Sequence, residues 1–442
     1  MKLSKRAVLC LVWSAPVAAL ALLFWWLDAG GQAELAAAQA RIRAAGLPTS
    51  IREIQPPFVP DADNAAPLVA GFSVPLSPLL QNFVNDPRYK PSPTEQAALE
   101  AELASAPVST ALAMIREAAA KPGYDARVAY EPGKRPSFRN DAQPMLEGVR
   151  LLSASIRLAV EHGSFDEAAA DTLAMMRLAE LSANEPLLLN QMVRGAIWSR
   201  ALDNLRQLNT AGGIQPVWNH RLSERLAAAD LVKGLVLALD GERLFFGNTY
   251  IGGLLNGTMD WSQIFTGGWN RLEKWPVRLK EQKYRFRGVV RREYATYLGL
   301  ISEMREIVAK PDANFSTVDK GLKAVTTKIQ PGEFIGQLAL NGLPDTLPRG
   351  WKNITDISLA QTGLALERYR MAKGEYPATL GDLVPDLLPK APADPYTGKP
   401  LLHRREPGGG ATVWSAGPNL KDDGATGDDL VWRAVEQAPK GN

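Results

Sequence analysis

A chain of 442 residues with 46% hydrophobic and 22% charged side chains is long enough for two or three folding units with buried cores. Its 50 basic and 47 acidic residues nearly cancel, leaving a formal charge of +3 and no long basic block, so no nucleic-acid partner is expected. The single cysteine, Cys10, excludes an intrachain disulfide and any zinc or iron–sulfur site built from this chain's cysteines, and His162, His220 and His403 are widely dispersed.

Lys2, Lys5 and Arg6 precede an uncharged run from Ala7 to Leu27. As a helix, those 21 residues rise roughly 32 Å, against a hydrocarbon core of about 30 Å. Phe24, Trp25 and Trp26 stand where an interfacial aromatic belt belongs, and Asp28 ends the run. The basic residues before it favour a cytoplasmic N-terminus. Pro16 kinks such a span without excluding it. Residues 1–29 are therefore expected to form a cytoplasmic tip and a retained single-pass transmembrane helix. That puts the body outside the cytoplasm, at a bacterial membrane, with the lipid bilayer as a partner. The competing reading is a cleaved signal peptide, with Gly31 and Ala33 as small residues at the cut. Against it, the run is longer than a usual signal core and ends in bulky aromatics.

Residues 30–93 read as an extended linker region. An alanine-rich helix over 33–45 leaves the membrane, and Pro56, Pro57 and Pro60 then impose extended backbone. Residues 94–310 form a helical body. Ser92 or Thr94 is its first cap, with Glu95 in the first turn and a break at Ala106-Pro107. Apolar spacing predicts helices over about 143–160, 166–182, 186–208, 222–239 and 287–310, and the short links between them suggest a stack of helical hairpins. Residues 241–285 mix aromatics, among them Phe245, Phe246, Tyr250 and Trp261, with glycines. They read as a long crossing loop that fills gaps between helices, with a ligand surface as the alternative. Residues 311–349 form a connector.

From 350 to 433 the pattern is a helix over about 354–371, a turn-rich segment and a small antiparallel strand pair, followed by a flexible tail at 434–442. Tyr369, Arg370, Gly374, Tyr376 and Pro377 come first, then Asp394, Pro395, Tyr396, Gly398 and Pro400. The series ends with Ser415, Gly417, Asn419, Gly424, Asp428 and Asp429. In this order they resemble the C-terminal part of the major pseudopilins of type II secretion. The resemblance implies a small α/β module with calcium at its terminal loop. Asn419, Asp422, Asp423, Asp428 and Asp429 are the candidate ligands, since hard oxygen donors suit that ion. Asn419 stands where the pseudopilin pattern has aspartate, and the N-terminus lacks the prepilin processing signal. Pro56, Pro57, Pro60, Asp61, Asn64, Ala65 and Ala66 also resemble a stretch in large single-pass proteins of planctomycete-like bacteria.

No phosphate loop or nucleophile elbow is visible, and no catalytic residue is assigned. Glu375, Asp382 and Asp394 are the carboxylates to inspect for acid–base work. Glu185, Asn190, Gln191 and Arg194 are the polar residues of an apolar helical stretch, either an interaction groove or else an internal hydrogen-bond network or an exposed face. The fold class expected is mainly α: a helical-hairpin body, a pseudopilin-like α/β module and one transmembrane helix. The expected function is an extracytoplasmic scaffold or interaction protein with envelope or membrane proteins as partners. A membrane-tethered hydrolase and a modified secretion component are the alternatives.

Overall fold

The computed structural model describes residues 5–86, 88–128, 141–258, 287–330, 333–340, 343–407 and 409–434. Within its helices, the side chains at 5–21, 23, 24, 27, 334, 338, 339, 344, 345 and 348 also lie outside the described residues. The chain is mainly α-helical, with a small three-stranded sheet near its C-terminal end.

The first helix, α1 (Lys5–Ala44), runs unbroken through the expected span and on to Ala44. Among the described residues no single helix is long and apolar enough to cross a membrane; the side chains of the expected span, Ala7 to Leu27, lie almost wholly outside them. After α1 come α2 (Ala66–Val69), α3 (Pro78–Asn85), α4 (Pro93–Ala104) and α5 (Ala106–Ala120). Residues 30–93 are thus no extended linker. Ala65, Ala66, Val69, Phe72, Leu80 and Phe83 are fully buried, and burial outweighs the polyproline signal that flanks them. Of the two caps expected, Ser92 and Thr94, the chain uses Ser92, whose capping box with Glu95 starts α4.

The body continues with α6 (Ala142–Glu161), α7 (Phe165–Leu181), α8 (Leu188–Thr210), α9 (Pro216–Ala228) and α10 (Leu231–Phe245). One helix was expected over 222–239, but the chain breaks at Asp230, whose carboxylate accepts the Lys233 N–H at 2.8 Å and caps α10. Past Phe245 the backbone stays helical through a π segment (Phe246–Ile251) and α11 (Gly252–Asn256), where a loop was expected. The Phe246 ring lies 5.5 Å from Tyr250 and 5.4 Å from Tyr297, which fills a gap between helices. The rest of the aromatic segment, 259–286, lies outside the described residues.

Next come α12 (Arg287–Val308), α13 (Phe315–Thr326), α14 (Phe334–Leu340) and α15 (Leu343–Lys373). The expected connector is therefore largely helix, and α15 begins about three turns before the position its apolar spacing suggested. Pro344 falls in the first turn, where proline is tolerated, and Pro348 lies one turn further in. Burial of Leu347 and Trp351, 0% and 1% exposed, holds the helix through the latter.

Two hydrophobic cores result. One gathers α5–α9 with the sheet; the other gathers the end of α1 with α10 and α12–α14. The helix α15 ties them together, with Leu343, Leu347 and Trp351 in the second core and Leu359, Leu364 and Leu366 in the first.

The sheet has the order β1 (Leu402–Arg405), β2 (Ala411–Ser415), β3 (Leu430–Ala434), antiparallel throughout. A strand pair was expected. The edge strand β1, Leu-His-Arg-Arg, lacks apolar alternation, and charge at an edge is a guard against stray pairing. On β1, burial and then the nearby Arg405 charge lower the His403 pKa, and its Nε2 is buried without a hydrogen-bond partner among the described residues. The unfolded imidazole takes up its proton near pH 6.5, before the folded one does. Stability is therefore complete above that pH and is lost as pH falls through it. Thermal midpoints followed from pH 7.5 to 5 should decline less in His403→Gln than in the unaltered chain.

Candidate functional site

The four polar residues singled out around α8 divide between two environments. The amide of Gln191 donates to the carbonyls of Ser182, Ala183 and Glu185 at 3.1, 3.2 and 2.8 Å, closing the end of α7. Arg194 is 2% exposed. Its Nη2 donates to both oxygens of Glu180 at 2.8 and 3.0 Å, and its Nη1 donates to Gln191 Oε1 and the Asp230 carbonyl. The indole of Trp198 donates to the same Glu180 at 2.7 Å. Gln191 and Arg194 thus belong to an internal network and not to an open groove.

Glu185 and Asn190, joined by a 3.2 Å hydrogen bond, instead reach the wall of a cavity of about 440 Å³ with Met145, Val193, Phe245 and Glu242. Burial raises the Glu242 pKa, partly offset by the Leu188 N–H that it accepts at 3.2 Å. No cation pairs with it among the described residues. In the unfolded chain this carboxyl ionises near pH 4.5, while in the fold it keeps its proton to higher pH. Its contribution to stability is accordingly present at low pH and drains away as pH rises through the folded value. Glu242→Gln keeps an acceptor for Leu188. It is expected to melt higher than the unaltered chain at pH 8, with the gap closing toward pH 4.

A second cleft, of about 1000 Å³, opens between α5, α7 and α9 and is edged by Pro57 and Val59. The spacing of Trp218, Arg221 and Arg225 along α9 puts them on one face, and Arg177 comes from α7. The Arg221 guanidinium lies 5.1 Å from the Trp218 ring centre. Sequence reading passed over these arginines and Glu242. The i, i+3, i+7 recurrence of Trp218, Arg221 and Arg225 was the available signal for the former; Glu242 had none, since its burial is a tertiary fact.

The terminal loop spends its carboxylates on itself. Asp422 accepts the Trp414 indole N–H and the Gly424 N–H, both at 2.9 Å, and Asp423 accepts the Asn419 amide at 2.8 Å. Asp429 takes the N–H groups of Asp423 and Ala425 on one oxygen, while its other oxygen is buried without a partner among the described residues. Asp428 is exposed. Among the described residues no three acidic, histidine or cysteine side chains are grouped to hold a metal ion. Asn419, Asp422, Asp423 and Asp429 thus brace the loop's own turns.

Asp394, Glu375 and Asp382 do not converge either. Asp394 is buried in its turn, Glu375 faces Arg405 at the surface, and Asp382 caps the backbone of Thr379. Compared with family models, curated proteins and solved structures, the chain matches none of them.

Proposed function

We propose that this chain is a membrane-tethered extracytoplasmic interaction protein. Its N-terminus lies in the cytoplasm, its body faces envelope or membrane proteins, and a pseudopilin-like module closes the C-terminal end. One observation carries the tether: α1 changes surroundings at Asp28. Just before it, Leu22, Trp25 and Trp26 are large apolar side chains exposed to 65%, 70% and 63%. From Asp28 onward the same helix lies along α12. Asp28 pairs with Arg291 at 2.6 Å and Glu34 with Arg292 at 3.0 Å. At Gly31 an added Cβ would sit 2.2 Å from the Gly288 carbonyl oxygen, so the two backbones approach closely. Exposed aromatics suit a bilayer interface, and an unbroken helix docked into the body holds that body near the membrane, raising its effective concentration against neighbours there. The order of α15, turn segment and three antiparallel strands supports the pseudopilin-like reading.

The chain's lone cysteine makes topology simple to test. In a Cys10→Ser background, Glu167→Cys at an exposed position of α7 should react with a membrane-impermeant maleimide in intact spheroplasts. Lys2→Cys should react only after lysis. The reverse pattern, or release of the body into the soluble fraction, would sink the tether.

A second reading, a membrane-tethered hydrolase, is favoured by Glu185 and Glu242 sharing one cavity wall, since a carboxyl whose pKa burial raises suits general-acid work. Full-length protein turning over a chromogenic ester, peptide or glycoside, with turnover abolished in Glu242→Gln, would favour it. Turnover unchanged by that substitution would count against it.

A further inference from the structure

The cleft between α5, α7 and α9 holds cations that have no ion-pair partner among the described residues. Among the described residues no carboxylate lies within ion-pair distance of Arg177, Arg221 or Arg225. The other charged groups on its walls are engaged. Arg116 pairs with Asp171 at 2.8 Å, Glu180 with Arg194 at 2.8 Å, and Glu224 meets His220 at 3.2 Å. Lys121 donates to the Ala62 carbonyl at 2.9 Å. The Nε of Arg225 is buried with no hydrogen-bond partner among the described residues. Burial depresses the Arg225 pKa; Glu180 opposes this, and the like charges of Arg177 and Arg194 add to it. A guanidinium fork placed this way is short of an anion.

We propose that this cleft binds an extended acidic peptide segment of a partner protein, with its carboxylates taken by Arg177, Arg221 and Arg225. Shape and lining favour a chain over a small anion. Sites for small molecules are mostly apolar and enclosed, whereas this one is open, polar and about 1000 Å³ in volume. Arg221 and Arg225 stand one turn apart on α9, so the cations form a row and not a single point. Ala170, Leu173 and Ala174 of α7 supply a shallow apolar floor for the stems of acidic side chains. The inference rests on the interaction reading and names the chemistry of the partner.

The test uses the full-length chain in nanodiscs of zwitterionic lipid, with fluorescein-labelled octaglutamate read by anisotropy. Uncharged octaglutamine is the control and inorganic phosphate the competitor. Saturable octaglutamate binding is expected to weaken steeply between about 50 and 300 mM salt. It should fall about tenfold or more in Arg177→Gln/Arg221→Gln, a pair of exposed positions whose replacement leaves the core intact. Arg225→Lys keeps the charge but not the fork and should give a smaller loss. Absence of saturable binding, equal binding of octaglutamine, or unchanged affinity in the double variant would overturn the proposal. Displacement by phosphate at the same concentration of charge would overturn it too, by marking a small-anion site. Failure of the maleimide topology test alongside intact octaglutamate binding would remove the tether and leave the cleft standing.

Discussion

Glu180→Ala should cost about 3–5 kcal/mol of stability, the range for breaking one side of a buried ion pair. The reason lies in what stays behind. Arg194 is held inside the body by α8 and is 2% exposed, so it cannot swing out to water when its partner is removed. Three of its contacts go to Glu180, and the Trp198 indole loses the same acceptor. Gln191 and the Asp230 carbonyl remain, but both are neutral acceptors and cannot balance the charge. Removing both charges should be milder: Glu180→Leu/Arg194→Met takes the desolvated cation away with its partner, and such double replacements of buried pairs are often near neutral. Denaturant midpoints of the single and double variants decide the matter. A loss under about 1 kcal/mol for Glu180→Ala would mean that water reaches Arg194 freely.

A loss of similar size, on the order of 3–5 kcal/mol, is expected for Asp394→Ala, because hydrogen bonds to a charged acceptor are the expensive ones to leave unmade. Asp394 is 3% exposed and accepts four donors. They are the N–H of Tyr396 at 2.9 Å, the hydroxyl of Thr397 at 3.0 Å, the hydroxyl of Ser415 at 2.6 Å and the N–H of Ala416 at 3.2 Å. The first two close its own Asp-Pro-Tyr-Thr turn, and the other two come from Ser415 at the end of β2 and from Ala416 just beyond it. One carboxylate thus joins the turn to the sheet, which explains why the residue initiates a turn and yet is buried. Asp394→Asn retains an acceptor and should lose roughly half as much. Loss of near-ultraviolet signal from Trp414 and Trp432 at lower denaturant would locate the damage in the sheet. Unfolding unchanged in both variants would show that the sheet does not lean on this turn.

Much of the fold was legible in local chemistry. The Ser92–Glu95 box, the Gly163 link between α6 and α7, and the apolar stripe of Tyr294, Tyr297, Leu298 and Ile301 set element bounds close to those observed. Local signals failed where a distant partner outvoted them. Pro348 removes an intrahelical donor, but burial of Leu347 and Trp351 in the second core carries α15 through it. Strand β1 has almost no apolar pattern of its own and exists because β2 offers it a register of four residue pairs. The polar set at 185–194 shows both outcomes at once. Its residue types and spacing announced a special region, and only packing against Glu180 and Asp230 separated the internal braces from the cavity wall.

Sequence by itself determined the uncharged run ahead of Asp28, the helical bulk of the chain and the turn chemistry of its C-terminal end, because these depend on neighbours a few residues apart. Tertiary structure decided that α15 would bridge two cores, that Arg194 would be neutralised, and that Arg177, Arg221 and Arg225 would find no carboxylate partner among the described residues. Whether a charge meets its opposite depends on which helices pack side by side, and no spacing along the chain records that.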